Sequence, residues 1–135
     1  REDELAALAR AIAASGGEAS AVTGDVSVAA DVERMVAHAT GTFGRLDFAI
    51  NCAGIEGKTF GIGEMPEDEW DRVLDINLKG SFLCMKYESR AMLAAGNGGS
   101  IVNVGSINSF LGYPTFSAYC ASKHGLIGLT SSVSA

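Results

Sequence analysis

Hydrophobic residues recur along this chain with two different periods. Leu5, Leu8 and Ile12 stand at i, i+3 and i+7 in an alanine-rich stretch that stops at Gly16-Gly17, which predicts an amphipathic helix closed by glycine. Glu18 to Thr23 reads as a short, weakly patterned strand, followed by Gly24-Asp25. Val32, Met35, Val36, Ala39 and Phe43 keep the helical period up to Gly44, so a second helix is expected, capped by Ser27 or Asp31. Leu46 to Asn51 is a continuous apolar run with polar ends, the pattern of a strand buried on both faces. After a glycine-rich loop from Cys52 to Met65, Pro66 and the acids Glu67, Asp68 and Glu69 suit the first turn of a long helix. That helix carries Trp70, Val73, Leu74 and Leu78 and is expected to continue to Gly96. Ile101, Val102 and Val104 mark a further buried strand, and the Asn108–Pro114 loop leads into a last helix from about Phe116.

Helix and strand thus alternate, which predicts one α/β domain over residues 1–135, built on a parallel sheet with helices on both faces. No repeat, low-complexity tract or interdomain linker interrupts the pattern. It opens on a helix and stops inside one, so an N-terminal strand is expected to be missing.

Composition narrows the function classes. The chain has 135 residues, 47% of them hydrophobic, and sixteen acidic against ten basic side chains give a net charge of −6, as in a soluble globular domain. The acidic balance argues against nucleic acid and anionic membrane surfaces, which need a basic footprint. No apolar run approaches the roughly 18 residues of a membrane span. The charged start Arg1-Glu2-Asp3-Glu4 does not read as a signal peptide. Cys52, Cys84 and Cys120 are odd in number and far apart, so neither a disulfide framework nor a zinc site follows, and a reducing cytoplasm is expected. His38 and His124 have no partner at ligand spacing, so no metal is expected, and His38 reads as a surface helix residue.

From Ala91 to the last residue, Lys123 is the only formally charged side chain. A lone ammonium in a near-neutral, buried segment is costly unless something neutralises or uses it. Tyr119-x-x-x-Lys123 puts a phenol and that ammonium on one helix face. A free phenol titrates near ~10, and a cation a few ångströms away favours the phenolate, so the pair is a candidate general acid/base for a hydroxyl or carbonyl. Ser106 ends the buried strand expected over Ser100 to Ser106, where side chains of parallel sheets line the ligand crevice, and is a candidate hydrogen-bond partner for a substrate oxygen. Asn77 falls on the apolar stripe of the long helix with Trp70, Val73 and Leu74. A buried amide there needs partners, as a structural residue, in a direct role, or in both by bonding a kinked backbone. Asn51-Cys52-Ala53-Gly54 leaves the first strand with small residues that let a flat ligand approach the backbone, and Asp25 has the analogous position after the earlier segment. Gly57-Lys58-Thr59 imitates the tail of a phosphate loop but lacks the first glycine and a following helix.

Asp25-Val26, Asn51-x-Ala53-Gly54, Asn77 in Asn-x-x-Gly, Ser106 and Tyr119-x-x-x-Lys123 stand together in an order and spacing that resemble the short-chain dehydrogenases/reductases over essentially the whole chain. The resemblance is to the central part of a single-domain member of the alcohol dehydrogenase and ketoacyl reductase branch. It implies a doubly wound parallel Rossmann-type sheet and an oxidoreductase that interconverts a secondary alcohol and a ketone with NAD or NADP. By resemblance, Tyr119 is the catalytic acid/base, Lys123 assists its ionisation and bonds the nicotinamide ribose, Ser106 orients the substrate oxygen, and Asn77 holds a relay water. Asp25 and Val26 would contact adenine, and Asn51, Ala53 and Gly54 would pass along the adenine ribose and the cofactor backbone. Family members often form tetramers through the last helix and the long one before it. A homo-oligomer is therefore expected, with Ala118, Ala121, Ser122, Gly125 and Gly128 permitting close approach; the alternative is that these pack within the chain.

Two departures qualify the resemblance. The family's glycine-rich phosphate turn, with the N-terminal βαβ unit that carries it, has no counterpart here, and the downstream pocket-shaping elements are absent too. In strand order 3-2-1-4-5 the Glu18–Thr23 segment would be separated from the Leu46–Asn51 strand by two missing strands, leaving a gap and unpaired edges. The expectation is therefore an incomplete sheet, a piece of a larger oxidoreductase that by itself is inactive or poorly folded. The competing readings are a non-catalytic Rossmann-like fragment serving as an interaction module, and an epimerase or dehydratase sharing YxxxK.

Overall fold

The computed structural model describes residues 2–96 and 98–134. In chain order these form α1 (Glu2–Ala14), α2 (Ala29–Phe43), β1 (Phe48–Asn51), α3 (Glu67–Leu74), α4 (Gly80–Ala94), β2 (Ser100–Asn103) and α5 (Ser117–Val133). A π-turn, Asp75–Lys79, joins α3 to α4, and short 3-10 turns occupy Ile62–Glu64 and Ile107–Ser109. β1 and β2 are parallel, with Phe48 opposite Ser100 and Asn51 opposite Asn103. The architecture is α/β, an incomplete Rossmann-type sheet, as expected.

The long helix forms over its expected span, but its register is broken in the middle. Glu69, Val73, Asn77, Ser81 and Met85 are all buried at four-residue spacing. At about 100° per residue an undisturbed α-helix would drift by roughly 160° over those sixteen steps, turning Met85 away from the side that buries Glu69. The wider turn absorbs part of that drift: the Gly80 N–H reaches back five residues to the Asp75 carbonyl.

Three expectations for the fold are corrected. Glu18–Thr23 is not a strand, because among the described residues no neighbour offers a hydrogen-bonding edge. Side chains of α2 hold it instead: Arg34 donates to the Thr23 carbonyl at 2.9 Å, and His38 bonds the Ser20 hydroxyl at 2.7 Å. His38 is accordingly half-buried and tied across to that segment. The β1–β2 sheet is covered on one face only. Ala49 is buried beneath the helices, while Phe48 (76% exposed) and Ile50 (68%) stand on the open face with Val102 and Val104. The second edge of β1 is also unpaired among the described residues, and a groove of about 420 Å³ separates it from α2 and α4. Finally, neither Ser27 nor Asp31 caps α2, whose first flanking residue is Val28. Ser27 instead donates to the Asp25 carboxylate through both N–H and Oγ, and Asp31 accepts from the Asp25 N–H.

The core lies between α2 and α4, where Val32, Leu83 and Cys84 are buried with Val26, Met35 and Tyr87 packed around them. Burial pushes the Cys84 thiol up to about 11. All three cysteines are free. Among the described residues no helix is long and apolar enough to cross a membrane.

Candidate active site

The ends of β1 and β2, the π-turn and the first turns of α5 converge. Asn77 is 1% exposed and uses its whole amide. Its Oδ1 accepts the Ile55 N–H at 2.8 Å, and its Nδ2 donates to the Ile55 carbonyl at 2.8 Å and to Ser122 Oγ at 3.0 Å. The π-turn therefore staples the loop leaving β1 to α5. Ser122 passes the connection on by donating to the Tyr119 carbonyl at 2.7 Å. Close contact explains Gly54: a Cβ there would lie 3.3 Å from Asn77 Oδ1 and 3.8 Å from Lys123 Nζ.

Lys123 is 7% exposed, and among the described residues no carboxylate pairs with it. Its Nζ donates to the Val104 carbonyl at 2.9 Å and lies 5.8 Å from the centre of the Tyr119 ring. Burial pulls the ammonium below the usual lysine range. One N–H is satisfied, which leaves two donors on the side of the Tyr119 ring and of the space at Gly54.

Ser106 follows β2 and caps the 3-10 turn, its Oγ accepting the Asn108 N–H at 3.2 Å. Asn108 in turn donates to Cys120 Sγ at 3.3 Å, so it fixes Ser106 relative to the turn of α5 that bears Tyr119. A loop strap closes the other side. Phe60 donates its N–H to the Thr115 carbonyl at 3.1 Å, and Thr115 has φ +67°, the one non-glycine residue with positive φ among those described. The rings of Tyr113, Phe116 and Tyr119 meet edge to face in succession.

The remaining sequence candidates are distributed unequally. Val26 touches the helix just beyond the π-turn, since a Cβ on Gly80 would lie 2.8 Å from Val26 Cγ2. Asp25 is exposed, and its bonds from Ser27 hold its carboxyl below the usual carboxylate range. Ala53 is exposed beside Gly54. Asn51 points its amide the other way, donating to Glu88 Oε2 at 3.1 Å and Asn103 Oδ1 at 3.0 Å under the helices. The small residues of α5 divide: Ser122 meets Asn77 and Gly125 packs on Leu78, whereas Ala121 and Gly128 are exposed.

Sequence reasoning missed Ser122, Asn108, Thr115 and Glu69. Glu69 reads as an acid suited to a helix N-terminus, yet its buried carboxylate accepts the Lys58 N–H at 2.7 Å and both Arg72 Nε and Nη2, at 3.0 and 2.8 Å. Hydrogen bonds from Arg72 and then Lys58 hold it down to about 2. A carboxylate thus occupies the Lys58 amide that a phosphate loop would need free. Among the described residues no group of His, Cys, Asp or Glu could hold a metal.

The family model for short chain dehydrogenase matches residues 1–135. The short-chain dehydrogenase/reductase ABA4 of Pyricularia oryzae is 44% identical over 119 residues, covering 86% of this chain and 43% of that protein. A cyclohexanol dehydrogenase of Acinetobacter sp. strain SE19 is also 44% identical over 119 residues, covering 88% and 47%. The crystal structure of an NAD+-bound xylitol dehydrogenase superposes with a TM-score of 0.92 at 33% identity, over 98% of this chain and 51% of that one. The chain spans about half the length of the curated relatives it matches. With the convergence of Asn77, Tyr119 and Lys123 and a family match from end to end, the chain belongs to the short-chain dehydrogenases/reductases.

Proposed function

We propose that the protein to which this chain belongs is an oxidoreductase that interconverts a secondary alcohol and a ketone with NAD or NADP. One observation carries the reading: a buried ammonium without a carboxylate partner among the described residues, held by the Val104 carbonyl beside the Tyr119 ring. Burial disfavours that charge, and a phenolate at Tyr119 or an oxyanion formed on the substrate would offset the penalty. Tyr119 then gives its proton to the carbonyl oxygen in reduction and takes it from the hydroxyl in oxidation. Ser106 Oγ, fixed through Asn108, orients the same oxygen. The role of Asn77 is to hold the Ile55 turn and Ser122. Both amide hydrogens are used within the chain, so a relay water would bond elsewhere on this residue.

The residues present fit a nicotinamide dinucleotide. Gly54 leaves a space that a Cβ would fill against Asn77 and Lys123, and Lys123 keeps two donors for ribose hydroxyls. Ala53 and the Asn51 backbone would lie along the cofactor, with Asp25 and Val26 at its adenine end. When bound, the nicotinamide supplies or accepts the hydride. The name of the cyclohexanol dehydrogenase relative supports an alcohol substrate, and the NAD+-bound neighbour supports the cofactor class. We further propose that residues 1–135 are part of a longer single domain and that copies associate, as a tetramer, through the exposed side of α5. The three free thiols support a reducing cytoplasm.

The test is NAD(P)H turnover with secondary alcohols and ketones, comparing Tyr119→Phe with the unaltered protein. The variant should lose about 10²–10⁴ in kcat, the usual contribution of a general acid/base, with cofactor binding retained. Full turnover by Tyr119→Phe would remove the proposed mechanism.

A further inference from the structure

The segment between Ser106 and Tyr119 has a composition that proton transfer does not require. Ile107, Phe110, Leu111 and Tyr113 are 69, 70, 57 and 66% exposed, in a stretch without a charged side chain. Clustered exposed apolar side chains mark a contact surface. Two geometric facts tie this surface to the reacting groups. The Tyr113 ring lies edge-on to Phe116, with centroids 5.8 Å apart at 82°, and Phe116 lies edge-on to Tyr119, at 6.5 Å and 72°. Between these rings Thr115, a β-branched residue, is held in the left-handed region while its carbonyl accepts the Phe60 N–H. Such strain persists only where the surroundings over-determine it, and it gathers at functional sites. A fixed aromatic ladder therefore runs from solvent to the phenol of Tyr119.

We propose that this ladder is the substrate wall, that it selects a neutral, ring-bearing apolar ketone or secondary alcohol, and that Tyr113 determines the specificity. This rests on the oxidoreductase reading and deepens it. Ring edges and faces bury apolar area well. The segment offers no cation to an anionic substrate. A polyhydroxylated substrate would leave hydroxyls unpaired against the rings, a loss that sites discriminate strongly.

The purified protein is titrated with 1-tetralone and with xylitol while the Tyr113 and Phe116 ring resonances are followed by NMR. Turnover of 1-tetralone and of erythrulose is measured in parallel with NADH and NADPH. Tetralone should shift both rings and xylitol neither, and kcat/KM should favour tetralone by at least about tenfold. Tyr113→Ser should cut that preference about tenfold, mainly through KM, with Leu111→Ser as a second variant should the first fail to fold. Equal turnover of both ketones would overturn the wall and leave the oxidoreductase reading standing. Ring shifts with tetralone but no turnover with either cofactor would sink the oxidoreductase reading and keep the wall. No ring shifts, or self-association abolished by Tyr113→Ser, would overturn the wall, the latter in favour of a second copy of the chain.

Discussion

Replacing Asn77 by alanine tests the staple on which the site's geometry depends. The change orphans the N–H and the carbonyl of Ile55, both bonded at 2.8 Å in the native fold. Ser122 loses a 3.0 Å contact but keeps its bond to the Tyr119 carbonyl, so its share is small. A polar group left unpaired costs ~1–3 kcal/mol, and because Ile55 is half-buried the lower figure applies, about 1 kcal/mol each. Truncation at a position 1% exposed adds a void worth about 1 kcal/mol more. The total is about 3 kcal/mol, measurable by urea unfolding followed through Trp70 fluorescence, with the midpoint lowered and the slope unchanged. Asn77→Asp keeps the acceptor for the Ile55 N–H but replaces both donors with charge, and should cost at least as much. A loss below ~0.5 kcal/mol for Asn77→Ala, the scatter of ordinary surface changes, would mean that the Ile55 turn supports itself.

Gly57→Ala should destabilise by about 2–4 kcal/mol, from left-handed strain and overpacking. Gly57 has φ +76°, and an added Cβ would lie 2.5 Å from Val73 Cγ2 and 2.9 Å from Glu69 Oε1. An unchanged thermal midpoint would refute this. Glu88 is buried, and desolvation raises its carboxyl above the usual carboxylate range, with the Asn51 bond opposing less strongly. The folded state therefore holds that proton more tightly than the unfolded chain does. Stability should fall as pH rises from the ordinary glutamate range through the raised value, and Glu88→Gln should remove that fall and stabilise the protein at neutral pH. Identical stability–pH curves for the two proteins would show that Glu88 titrates normally.

Local patterns in the sequence anticipated the helices and singled out several residues of the candidate site. Three of the four helical stripes were readable because they bury a face against neighbours present in the same chain, as Val32 and Leu83 do, whereas α1 buries no residue and was readable from its period and its glycine stop alone. Strand readings were less secure, since a strand is defined by partners the run itself does not name. Among the described residues Glu18–Thr23 finds none, and Leu46–Asn51 finds one neighbour and one covered face. Lys123, and Tyr119 with it, were readable because a lone cation is unusual in so neutral a segment, whereas Ser106 and Gly54 look like ordinary turn residues and were singled out only by their place at strand ends and their spacing to that pair. Asn77 was visible only as an anomaly on an apolar stripe, and the π-turn that explains it leaves no signature of its own. Ser122 acts through Asn77, 45 residues away, while Asn108 and Glu69 bond partners 12 and 11 residues away that no local pattern names, so all three read as ordinary helix or turn residues. Asn51 carries the reverse lesson: its position suited a ligand, but its amide serves Glu88 and Asn103.

The surplus residue accommodated at Asp75–Lys79 separates two properties that usually change together. Shortening a helix by one residue normally rotates everything beyond the deletion by about 100° and scrambles the interior. Here a one-residue deletion would relax the widened coil into regular pitch, so the segments on either side could keep their buried faces. What disappears is the widened turn that carries Asn77, and with it the bonds to Ile55. Among length changes in this helix, those inside the bulge keep the buried faces in register but give up the Asn77 staple and the stability it contributes.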